Sequence, residues 1–200
     1  LDFWLGEEGT EATLRIFDPE GQEVAHLAGP DARGMNRAVW NLRHSDPGQQ
    51  RDQSPRGPLV IPGRYTVRLE AGGVTSEQTL VVREDPRLEV DPEIRRQWTQ
   101  DLLELGRLAR GVVDDAGMWG DTLEAIAEDP DAPEGLARTS LDLQRQWNEL
   151  RYRTRRLQGE VEGWVGPLTE QQRSQRAFYQ EMLETLKRET EILSAAYQGG

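Results

Sequence analysis

Along residues 12–18 (ATLRIFD) apolar and polar positions alternate, with Leu14 and Ile16 on one face and Thr13 and Arg15 on the other. A period of two predicts a β-strand. Asp18-Pro19-Glu20-Gly21 follows as a turn, where proline presets φ and glycine accepts the left-handed conformation. Residues 23–27 then return as the second arm of a hairpin. Residues 35–43 (MNRAVWNLR) read as a third strand that points Ala38, Trp40 and Leu42 to one face. Residues 63–71 alternate again and bury Tyr65, Val67 and Leu69. Gly72-Gly73 closes a turn, and residues 74–83 run back with Leu80 and Val82 inward. Leu1-Asp2-Phe3-Trp4-Leu5 also has strand character. Between residues 45 and 62 no apolar period survives, which predicts a long surface loop. Short strands at this spacing predict a small antiparallel sandwich.

The period changes after Asp91-Pro92, where aspartate caps free N–H groups and proline needs none. Ile94, Trp98, Leu102, Leu105, Ala109 and Val112 follow as one helical stripe. Gly111, Gly117 and Gly120 weaken the later turns, so the helix bends there or runs on to about Ala127. After a turn at residues 128–135, a second helix over 136–161 carries Leu136, Leu143, Trp147, Leu150, Thr154, Leu157 and Val161. Residues 163–167 break it. Thr169 and Gln172 form a capping box, opening a third helix with Phe178, Tyr179, Met182, Leu183, Leu186, Ile192, Leu193 and Ala196. Three amphipathic helices with short connections predict an antiparallel bundle. The expected architecture is therefore α+β in two domains: an immunoglobulin-like β-sandwich over 1–90 and a three-helix bundle over 91–200.

Composition narrows the function. The formal charge of −12 argues against nucleic acid and anionic membranes as main partners. Cysteine is absent, which removes thiol catalysis, disulfides and cysteine metal sites. No apolar run is long enough to cross a bilayer. The strand-like opening residues predict a mature or trimmed product of a longer precursor.

The two histidines, His26 and His44, have no cysteine and no serine in a nucleophile-elbow setting to act with. No glycine-rich phosphate loop opens a helix. Asp114, Asp115, Glu128, Asp129, Asp131 and Glu134 supply oxygen ligands of the kind calcium takes, yet their spacing fits no defined calcium loop and reads as a solvated acidic turn. Arg151, Arg153, Arg155 and Arg156, with Arg138 and Arg145 upstream, make the second helix locally basic. They serve either to pair with acidic faces of neighbouring helices or to dock an acidic partner. Of the six tryptophans, Trp40, Trp98 and Trp147 fall on apolar stripes and are expected in the core. Trp4, Trp119 and Trp164 sit near segment ends or beside glycines, where an exposed ring serves as a protein anchor or a sugar platform. Their other use is to plug the junction between sheet and helices.

Residues 34–43 (GMNRAVWNLR) followed by 57–69 (GPLVIPGRYTVRL) resemble the immunoglobulin-like domain of flagellar hook-capping proteins. They look closer to the C-terminal region of secreted bacterial proteins built on an Asp-box (BNR, sortilin-like) β-propeller. Asp85-Pro86-Arg87 and residues 159–169 (GEVEGWVGPLT) resemble the steps by which those proteins continue into helices. The propeller is missing here, and with it any Asp-box repeat or catalytic carboxylate. The resemblance implies an accessory module, bacterial, periplasmic or secreted, that contacts other proteins. It carries over no active-site residue.

The expectation is a non-catalytic interaction or scaffolding module of a larger extracytoplasmic, membrane-associated or soluble assembly, with no cofactor and no metal. Its candidate contacts are Trp4, Trp119, Trp164, Arg151, Arg153, Arg155 and Arg156. The alternative is a carbohydrate-binding accessory module, and a hydrolase would need two carboxylates facing each other across a cleft.

Overall fold

The computed structural model describes residues 1–45 and 54–199, with the side chain of Glu134 left aside. Mixed α+β architecture results: two antiparallel sheets, then three helices. The strands are β1 (Asp2–Leu5), β2 (Ala12–Phe17), β3 (Glu23–Gly29), β4 (Gly34–Arg37), β5 (Gly63–Ala71) and β6 (Val74–Val82). The helices are α1 (Pro92–Glu128), α2 (Glu134–Glu162) and α3 (Glu170–Gln198). The chain separates into two compact units, Leu1–Thr99 and Gln100–Gly200, so residues 92–99 of α1 belong to the first.

In the first unit, β3-β2-β5-β6 form a four-stranded sheet and β1-β4 a two-stranded one. Turn chemistry sets the pairing. Gly21 takes φ 81°, its N–H donates to the Asp18 carbonyl at 3.1 Å, and the Asp18 carboxylate accepts from Gln22 N–H at 2.7 Å. Gly72 and Gly73 both have positive φ, 55° and 77°, as the tightest hairpin connection requires, and β5 pairs β6 from Ala71↔Val74 to Gly63↔Val82. The inward residues of both sheets, among them Phe3, Leu5, Leu14, Ile16, Leu27, Trp40, Tyr65 and Val67, join in one core. Trp40 and Tyr65 meet edge to face at 5.7 Å between ring centres.

The strand expected over 35–43 ends early. β4 stops at Arg37; Ala38 and Trp40 are buried, but Leu42 turns out to solvent with φ 59°. The reason is Asn41, whose side-chain carbonyl accepts from Arg43 N–H at 3.2 Å while its amide donates to the Pro55 carbonyl at 2.7 Å. This local side-chain bond competes with ladder pairing and bends the chain. Of the surface loop expected over 45–62, residues 46–53 lie outside the described residues. Its remainder is only partly surface: Ser54 and Arg56 are exposed, but Pro55, Pro58 and Val60 are buried, and Leu59 bridges to Arg43.

α1 starts as expected, with the Asp91 carboxylate accepting from Glu93 N–H at 2.7 Å. It runs unbroken through its glycines to Glu128. Trp98, Leu102, Leu105, Ala109 and Val112 are buried; Ile94, in the first turn, is exposed. Leu143, Trp147, Leu150, Thr154, Leu157 and Val161 form the buried stripe of α2. The capping box at α3 is present in both directions, Thr169 with Gln172. The buried stripe of α3 is Tyr179, Leu183, Leu186, Thr190 and Leu193. Phe178, Ile192 and Ala196, expected inward, stand one position off that phase and face solvent.

Arg176 of α3 donates to Asp101 of α1 at 3.1 Å and to Glu104 at 2.7 Å, and Lys187 lies 3.4 Å from Asp115. Trp147 of α2 donates its indole N–H to Thr190 of α3 at 3.1 Å.

Candidate functional site

The tryptophans divide as their spacing predicts except at Trp119, which was expected to be exposed but lies within α1 and is half-buried. Trp40, Trp98 and Trp147 are buried, whereas Trp4 is 68 % and Trp164 80 % exposed. Trp119 is half-buried, and its indole N–H is enclosed with no hydrogen-bond partner among the described residues. Trp164 follows the end of α2, where its N–H reaches back to the Val161 carbonyl and its ring edge lies beside Gly166. A backbone anchor with a free ring is the geometry of a presented aromatic.

Arg151, Arg155 and Arg156 occupy the outer face of α2 with Tyr152, which is 62 % exposed. Spacings of four put Arg151 over Arg155 and Tyr152 over Arg156. Tyr152 was not singled out by the sequence pattern, although its position out of phase with Trp147, Leu150 and Thr154 marks it as outward. Among the described residues these arginines make no ion pair with an acidic side chain of α1 or α3, although Arg153 also meets the Tyr179 hydroxyl of α3. Arg151 bonds Asn148 at 2.8 Å, Arg153 bonds Glu149 at 2.6 Å and Arg156 bonds Glu160 at 2.9 Å, all on α2 itself. Exposed pairs of this kind are screened by solvent and add little to stability.

Within the first unit, a groove of about 890 Å³ opens between β1 and the β5–β6 side of the larger sheet. Phe3, Leu5, Val67, Leu69 and Leu80 give it an apolar floor, and Trp4, Ser76, Gln78 and Thr79 line it as well. The two-stranded sheet is narrower than the four-stranded one, which leaves this side open. Sequence patterning alone did not reveal the groove, because it arises from unequal strand numbers.

Three of the carboxylates weighed for calcium, Asp114, Asp115 and Asp129, are engaged elsewhere. Asp114 pairs Arg110 at 2.8 Å, Asp115 faces Lys187, and Asp129 accepts from Tyr197 O–H at 2.7 Å and Asp131 N–H at 2.9 Å. Tyr197 holds the Asp129 carboxyl below its usual range. The Glu134 side chain lies outside the described residues. Among the described residues no group of three or more His, Asp or Glu is placed to hold a metal ion. His26 lies 3.1 Å from Glu23, and burial lowers the proton affinity of His44.

A second polar centre went unforeseen. Arg95, 6 % exposed, donates to Glu84 at 3.1 Å, Thr99 at 2.9 Å and the Val60 carbonyl at 3.2 Å, and stacks 4.7 Å from the Trp98 ring centre. Each of its three guanidinium nitrogens bonds a structural partner, so this centre anchors residues 92–99 to the rest of the first unit.

Among the described residues no helix is long and apolar enough to cross a membrane. Comparison with protein-family models, with curated proteins and with solved structures finds no match.

Proposed function

We propose that this chain is a non-catalytic protein-interaction module of a larger bacterial extracytoplasmic assembly. In this reading the two sheets form an immunoglobulin-like sandwich that acts as a mount, and the three helices form a bundle that presents contacts. The observation that carries it is the sorting of tryptophans: three are packed into cores while Trp4 and Trp164 are held out to solvent. Exposed tryptophan and arginine are the residue types that anchor protein interfaces. Arg151, Tyr152, Arg155 and Arg156 fit an acidic partner. The extracytoplasmic setting rests on the resemblance carried by residues 34–43, 57–69 and 159–169.

The test is purification of the chain at native abundance, followed by titration of any stoichiometric companion protein. Trp164→Ala is expected to weaken that complex by tenfold or more, roughly the effect of losing an interface anchor, with thermal stability unchanged. Equal affinity for Trp4→Ala, Trp164→Ala and the parent chain sinks the reading.

Carbohydrate binding is the second reading, favoured by one observation: Trp4 shares the groove with the hydrogen-bonding side chains of Ser76, Gln78 and Thr79. Stacking of a sugar on Trp4 would shift tryptophan fluorescence during glycan titration, and Trp4→Ala would abolish the shift. A flat titration across glycan classes retires it.

A further inference from the structure

The two edges of the four-stranded sheet are treated differently. At β3, Ser45 closes the edge: its N–H donates to the Val24 carbonyl at 2.8 Å, and its hydroxyl accepts from His26 N–H at 3.2 Å. At β6, the opposite edge, no described residue outside β5 makes a backbone hydrogen bond to the strand. This edge is 9 residues long, and residues 74–79 are exposed on both faces. It contains no proline, and its one charged side chain, Glu77, is held by Arg68 at 2.7 Å. A long edge without proline, bulge or lysine is a template for another strand.

We propose that the strand it takes is β6 of a second copy, paired antiparallel about a two-fold axis at Gln78. The sequence of β6 is self-complementary about that residue. Residues of like parity share the outward hydrogen-bonding direction, so a symmetric antiparallel pair requires a residue, not a peptide bond, at the axis. Centring on Gln78 pairs the whole strand: Val74 with Val82, Thr75 with Val81, Ser76 with Leu80, Glu77 with Thr79, and Gln78 with itself. No like charges meet, and the two Gln78 amides can bond to each other. Moving the axis one residue earlier sets Glu77 against Glu77. Moving it one later shortens the ladder and leaves the end of the strand unpaired. The isologous contact closes on itself and yields a dimer rather than a fibre. Each copy carries a formal charge of −12, so added salt strengthens the association.

The test is sedimentation equilibrium of the full chain from about 1 µM to about 1 mM, spanning the affinities of weak to moderate complexes, with two charge variants at one exposed site. Thr79→Lys sets two lysines opposite two Glu77 side chains and is expected to tighten the dimer about three- to tenfold. Thr79→Glu sets four carboxylates together and is expected to loosen it by a similar factor. Amide exchange in β6 slows as concentration rises. Circular dichroism establishes that both variants fold. A parent chain monomeric throughout overturns the proposal, as does a shift in the same direction for both variants.

Discussion

Trp147 of α2 and Thr190 of α3 are both buried and joined by an indole N–H to hydroxyl bond of 3.1 Å. The Thr190 hydroxyl in turn donates to the Leu186 carbonyl of its own helix at 2.7 Å. The threonine thus satisfies the tryptophan without leaving a proton of its own unplaced. Thr190→Val keeps the shape and strips the acceptor. It is expected to cost about 1–3 kcal/mol by stranding the indole N–H, whereas Thr190→Ser, which keeps the acceptor, loses less of the pairing. Urea unfolding of the two variants checks the difference.

Arg95 makes a similar case in the first unit. Arg95→Met leaves the Val60 carbonyl and Glu84 without their donor and is expected to cost about 1–3 kcal/mol, since Glu84 is one-third exposed and solvent takes over part of the lost pairing. Losing Glu84 instead leaves the buried Arg95 charge without its counter-ion and is the costlier change. A fragment of residues 1–100 should accordingly resist unfolding better than one of residues 1–90, since only the longer one retains Arg95 and Thr99. Equal denaturant midpoints for the two fragments contradict the assignment.

Leu42 holds φ 59° as a half-exposed leucine. A left-handed conformation costs a non-glycine residue about 1–2 kcal/mol, and asparagine bears it best. Leu42→Asn is therefore expected to be neutral or stabilising by up to about 1 kcal/mol, whereas Leu42→Val destabilises. Thermal unfolding of the pair gives the sign.

Burial at two groups ties stability to pH. Burial disfavours the charged imidazole of His44, so its proton affinity in the folded chain is below that of the unfolded chain. The unfolded state then binds the extra proton more readily, and stability falls as pH drops below about 6.5. His44→Gln should shrink the difference between midpoints at pH 7.5 and pH 5. At the alkaline end, burial pushes the Tyr65 hydroxyl to about 12, and it donates to the Ile61 carbonyl at 2.5 Å. Its contribution is complete below about pH 10, the range of a free tyrosine, and disappears as pH rises through 12. Tyr65→Phe should flatten the stability profile across that interval.

What was legible in the chain follows from range of interaction. Thr169 with Gln172, Asp91 with Glu93, and Gly72 with Gly73 act over one to three residues, so spacing alone reveals them. The tryptophan sorting was legible for the same reason, since helical phase places Trp98 and Trp147. The misses depend on distant partners. Leu42 points outward because Asn41 finds Pro55, and Arg95 is buried because Val60 and Glu84 await it. The groove beside Trp4 and the bare edge of β6 depend on how many strands each sheet has, a quantity that no local pattern encodes.

The two-residue glycine link between β5 and β6 has a consequence for evolution and engineering alike. Side chains along a strand alternate strictly, so an amino acid inserted at that link must be absorbed within the turn, as a longer loop with its own bulge. Where the ladder took it up instead, Leu80 and Val82 would be driven into water and Val81 into the interior. Grafts at this corner should therefore carry a complete turn of their own rather than single added residues.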